Sequence, residues 1–123
     1  MIITNNDWVY EKYRNHHDYH VIFIQGNYKD VLVKTRDKIH EGYELLTHPL
    51  SSSLKPNETP FKSIIISEIK DKLNVESLFI IENSIMSWEK FNNDKRKLNF
   101  TEQIIEDFKL IDLTVLESAL NNK

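Results

Sequence analysis

Apolar positions in the first half of the chain come in short unbroken runs, and between them the apolar spacing turns helical. "MIITN" is a brief β-rich run that ends in polar residues, where Asn5 or Asn6 can cap a helix over about Asp7 to Arg14. "YHVIFIQ" reads as a second strand, apolar over most of its length, and Gly26 stops it. Asn27 stands three residues before Asp30, an approximate capping box, and Tyr28, Val31, Leu32, Thr35 and Ile39 then recur at helical spacing. Gly42 is the natural residue to end that helix. "YELLT" predicts a third strand and "SIIISE" a fourth. From about Asn74, a helix places Val75, Leu78, Ile81, Ile85 and Trp88 on one side. Asn99 and Glu102 form a second candidate capping box, for a short helix carrying Ile104 and Ile105. "FKLID" predicts a last strand, after which Asp112 caps a C-terminal helix with Val115, Leu116 and Ala119.

Strands that alternate with helices, and are apolar along their length, predict one α/β domain over residues 1–123. The expected architecture is a three-layer α/β sandwich with a largely parallel, Rossmann-like sheet of about five strands. Between the third and fourth strands lies a long polar loop at about residues 48–62, inside "THPLSSSLKPNETPFKS", which holds all 3 prolines of the chain. A loop of that length accommodates either a crossover or a wide hairpin, so the direction of the fourth strand stays open.

Composition narrows the functions. With 40% hydrophobic and 28% charged residues of mixed sign, the chain is of ordinary globular type. Its net charge of -3 supplies no long-range attraction to nucleic acid or an anionic membrane. The absence of cysteine excludes disulfides, thiolate metal sites and thiol redox chemistry within the chain. No basic leader followed by an apolar segment opens the sequence, and no run approaches a membrane span, so a cytoplasmic protein is the expectation. Nothing indicates a cofactor or an oligomeric state.

In parallel α/β sheets, ligands gather outside the carboxyl ends of the strands. The first three predicted strands end in Thr4-Asn5-Asn6, Gln25-Gly26-Asn27 and Thr47-His48-Pro49, and parallel strands would gather these groups along one edge, with Thr4, Asn5, Gln25, Thr47 and His48 as the candidate ligand contacts. The following loop adds Ser51, Ser52, Lys55, Asn57 and Lys62. Hydroxyls, an imidazole and ammonium groups beside helix N-termini suit a phosphate or a carboxylate. The glycines of a P-loop or a dinucleotide fingerprint are missing, and the same residues also serve as helix caps and solvated turn formers. Nucleophilic catalysis would use one of Ser51 to Ser53 with Lys55 or His48 as base, but sequence proximity alone does not orient such a pair. "NHHDYH" offers His16, His17, Asp18 and His20, which read as a solvated turn at the opposite edge, and no metal site is expected. Glu82, in the apolar context "FIIENSI", is a candidate buried carboxylate.

"TNN" near the start, "YKDVLVKTRDKIHEGYELLTHPLSSSLKPNETPFKSIII", "ESLFIIENSI" and "EDFKLIDLTVLESAL" together resemble the GrdX family over nearly the whole chain. Those small proteins are named for their occurrence in gene clusters for glycine, sarcosine or betaine reductase of amino-acid-fermenting anaerobes. The resemblance implies an accessory or regulatory task beside reductases that yield acetyl phosphate, and it assigns no catalytic residue. The leading expectation is a protein that binds a small anionic or phosphate-bearing metabolite at the strand-end edge. The alternatives are a module docking a reductase subunit through the 47–63 loop, and a small enzyme acting on an acyl or phosphoryl compound.

Overall fold

A computed structural model describes residues 1–50, 59–92 and 100–121. The chain runs β1 (Ile2–Thr4), α1 (Asp7–Tyr13), β2 (Val21–Phe23), α2 (Tyr28–His40), β3 (Ser63–Ile65), α3 (Val75–Asn92) and α4 (Glu102–Asn121). Each helix begins where a short polar side chain supplies a cap. Asn6 accepts from Trp8 N at 3.0 Å for α1, and Asn27 with Asp30 forms a reciprocal capping box for α2. Asn74 accepts from Ser77 N for α3, and Thr101 accepts from Ile104 N for α4.

β1 lies in the centre of the sheet, in the order β2-β1-β3, parallel to β2 and antiparallel to β3. Because side chains alternate across a strand, Ile2 and Ile65 join Val9, Tyr13, Leu116 and Leu120 under α1 and α4. Ile3, Ile64 and Ile66 face the other way, into the larger cluster with Val31, Leu32 and Ile39 of α2 and Ile81 and Ile85 of α3.

This sheet corrects the expectation of a Rossmann-like, largely parallel sheet of about five strands. Three strands of three residues each are outweighed by helices of 7, 13, 18 and 20 residues, and β3 is antiparallel. The third predicted strand shrinks to one bridge between Leu45 and Ile66. The N–H groups of Glu44 and Leu45 are taken by the hydroxyls of Ser67 and Ser77, while Leu46 N and Thr47 N both donate to Ile65 O, so no regular ladder forms. The predicted strand "FKLID" is interior to α4. Five residues of mixed polarity do not distinguish the two periodicities, and α4 as a whole buries Asp112, Leu116 and Leu120 at four-residue spacing. Asn99 of the second capping box falls outside the described residues, as does the polar stretch that starts after α3.

Gly42 ends α2 as expected, with φ 110° and its carbonyl accepting from Asp71 N at 2.9 Å. A Cβ there would meet the Asp71 carbonyl oxygen well inside van der Waals contact. Gly42→Ala should therefore destabilise the fold by more than the ~1 kcal/mol that left-handed backbone alone costs an L residue. Urea denaturation checks this, and a change smaller than that would contradict the close approach.

Candidate functional site

The antiparallel direction of β3 brings its first residue to the edge where β1 and β2 end, so Ser63 stands opposite Thr4. Both side chains point toward α4, where Asp112 meets them. Asp112 Oδ1 accepts from Ser63 N at 3.0 Å, and its Oδ2 accepts from Ser63 Oγ at 2.7 Å and from Asn6 Nδ2 at 3.0 Å. Thr4 Oγ1 accepts from Asn6 N at 2.9 Å, and because the Ser63 hydroxyl gives its hydrogen to Asp112, the Thr4 hydroxyl donates to Ser63 Oγ at 2.7 Å. A polarised chain thus runs from the Asn6 amide through two hydroxyls into one buried carboxylate. Asn6 also donates to Lys109 O at 2.9 Å, tying the start of α1 to α4.

Asn5 holds the same edge from the other side. Its Nδ2 donates to Gly26 O at 3.1 Å and to Pro60 O at 2.8 Å, and its Oδ1 accepts from Lys62 N at 2.9 Å. One amide therefore clips the β2–α2 turn and the start of β3 to the end of β1. Lys62 is itself only 4% exposed. Burial pushes its ammonium down to about 8, against the opposing pull of the Asp112 charge. Burial likewise pushes the Asp112 carboxyl above its ordinary range, against the Ser63 and Asn6 hydrogen bonds and the Lys62 charge.

Of the residues expected at a ligand site, the structure brings Thr4, Asn5 and Lys62 together. Gln25 is exposed beside them, next to the Gly26 that Asn5 holds. Thr47 lies along the outer side of β3, where its hydroxyl accepts from Ile65 N at 3.0 Å. His48 is farther along that segment, in a groove of about 290 Å³ against α3 with Leu50, Phe79, Ile80, Asn83, Ser84 and Ser87. Ser51, Ser52, Lys55 and Asn57 lie outside the described residues. Glu82 is half-exposed and pairs with Arg36 at 3.4 Å. His16, His17, Asp18 and His20 are exposed, and among the described residues no group of three or more His, Asp or Glu is placed to hold a metal ion. No described helix is long and apolar enough to cross a membrane.

Ser63 and Asp112 are the cluster members that sequence reasoning did not select as site candidates, and Asn6 was placed at the edge and as a candidate helix cap but not among the ligand contacts. The available signal was Asp112 itself, an acid on the apolar face that Leu116 and Leu120 continue.

These features define a small mixed α/β protein in which a set of buried polar groups, Thr4, Asn5, Asn6, Lys62, Ser63 and Asp112, meets at one edge of a three-stranded sheet. The chain belongs to the GrdX-like family: the profile described as GrdX-like protein matches residues 1–121. No curated protein and no solved structure gives a match.

Proposed function

We propose that this protein is an accessory component of the glycine, sarcosine or betaine reductase system and binds a small anionic or phosphate-bearing ligand at the edge where β1 and β2 end. Family membership supports the first part, through the association with glycine reductase-type gene clusters that it suggests. The observation that carries the second part is the burial of Lys62 at that edge, 4% exposed, in a frame of Asn5 hydrogen bonds. A cation shielded from water attracts an anion more strongly than an exposed one, and a rigid frame removes the cost of ordering it.

The test is a thermal-shift series with inorganic phosphate, acetyl phosphate, glycine, sarcosine and betaine on wild type, Lys62→Met and His48→Ala. Phosphate or acetyl phosphate at about a hundredfold over its dissociation constant should stabilise wild type by ~2.7 kcal/mol. Lys62→Met should lose that shift, and His48→Ala, with its imidazole on the α3 side, should keep it. A shift retained in Lys62→Met would remove the lysine from the site, and no shift with any of the five compounds would remove the ligand reading.

A further inference from the structure

Independently of that edge, α3 carries an apolar stripe that nothing in the described fold covers. Val75, Phe79 and Met86 are 72%, 69% and 65% exposed, and their spacing of four and then seven residues puts them on one side of the helix. A different side of the helix packs Ile81 and Ile85 into the core. Large apolar side chains aligned on a solvent face mark an interaction surface more often than chance scatter does.

Charge identifies the occupant. Glu82 and Glu89 are engaged toward α2, with Arg36 at 3.4 Å and Lys29 at 2.9 Å. That leaves Glu76 in the first turn and Lys90 in the last turn, neither in an ion pair among the described residues. A second α3 laid antiparallel over the stripe sets Phe79 opposite Met86 of the other copy, and Glu76 then lies within one residue of standing opposite Lys90. Both pairings repeat about one two-fold axis near Glu82 and Asn83, as a closed symmetric interface requires. Sulfur against an aromatic ring is a favourable contact, and the antiparallel helix dipoles agree with the charges. A parallel arrangement would instead stack Glu76 on Glu76 and Lys90 on Lys90.

We propose that α3 is the contact surface between two copies of this chain, packed antiparallel with Phe79 against Met86 and Glu76 against Lys90. The interface is small and largely helical, so association belongs in the micromolar range and not among tight obligate dimers.

Sedimentation equilibrium from roughly 5 to 200 μM spans that range of dissociation constants. Wild type should move from the 14.7 kDa of one chain toward twice that mass as concentration rises. Phe79→Asp, at an exposed position, should keep a wild-type circular dichroism spectrum and stay monomeric throughout. Glu76→Lys and Lys90→Glu should each weaken self-association by about tenfold, since two attractive pairs become repulsive. An equimolar mixture of these two variants should associate as wild type does, because their mixed dimer restores both opposite-charge pairs. A wild type that remains a monomer at 200 μM overturns the proposal and leaves the stripe to a different protein. Unchanged association in folded Phe79→Asp, or a mixture that associates no better than its components, also overturns it.

Discussion

Asp112→Ala should lower the unfolding free energy by about 3–5 kcal/mol, the range for removing one partner from a buried, charge-assisted set. For a domain this size that is a fall in Tm of roughly 10–20 °C. The substitution leaves Ser63 N, Ser63 Oγ and one Asn6 Nδ2 hydrogen without their acceptor, among residues that are all buried. It also loosens the packing of three elements, because Asn6 caps α1, Ser63 opens β3 and Asp112 belongs to α4. Asp112→Asn should cost less, since one carbonyl oxygen still accepts while the new NH2 faces a donor. Guanidinium denaturation of the three proteins measures this. A loss below about 1 kcal/mol in Asp112→Ala would mean that the cluster does not hold the edge together. The pH dependence supplies a second reading. The Asp112 carboxyl is raised from its ordinary 3.8 in the folded state, chiefly by burial. Its contribution is therefore fully present below that value and is lost as pH rises through the folded pKa. The stability of wild type relative to Asp112→Asn should be greatest at the acid end and shrink as pH increases.

Much of the local structure was legible because caps and glycines act over a few residues. Asn6, the Asn27–Asp30 box, Asn74 and Gly42 all function as their neighbours in sequence imply. The sheet was less legible, because whether a run such as "YELLT" forms a ladder depends on partners far along the chain. Ser67 and Ser77 capture two of its N–H groups, and no local pattern announces that competition. "FKLID" failed for a related reason. Its five residues fit a strand or a helix taken alone, and only the twenty-residue span of α4 shows that Asp112 continues the face of Leu116 and Leu120 instead of starting a new helix.

The edge itself was partly legible. Thr4, Asn5 and Lys62 do meet where β1 and β2 end, but through a route that a parallel sheet would not provide. The antiparallel β3 begins at that edge with Ser63, so Lys62 arrives as the residue just before a strand that starts there. Thr47 and His48 were expected beside them on the assumption of a third parallel strand. Its irregular path along the outer side of β3 carries His48 to α3 instead.

Lys62→Met gives the other large expected effect, and it acts in the opposite direction from Asp112→Ala. The folded pKa of Lys62, about 8, lies below its ordinary 10.5. Between those two values the unfolded chain binds more protons, so wild-type stability rises with pH across that window, and below about pH 8 the full cost of the buried ammonium is present. At about 1.4 kcal/mol per pKa unit, that cost is about 3 kcal/mol. Methionine fills a similar volume without the charge, so the stability of Lys62→Met relative to wild type should be most favourable at neutral pH and fall by about 3 kcal/mol on going to strongly alkaline solution. Denaturation curves of both proteins from pH 6.5 to 10.5 measure the difference, and a difference that does not change with pH would mean that Lys62 is not a desolvated cation. The same titration governs the proposed ligand. An anion of constant charge that needs the ammonium form should bind about tenfold more weakly for each pH unit above the Lys62 pKa. A variant that gains stability at neutral pH while losing phosphate binding would show a lysine kept for its ligand at the expense of the fold. A variant that gains stability and still binds phosphate would remove the lysine from the ligand site.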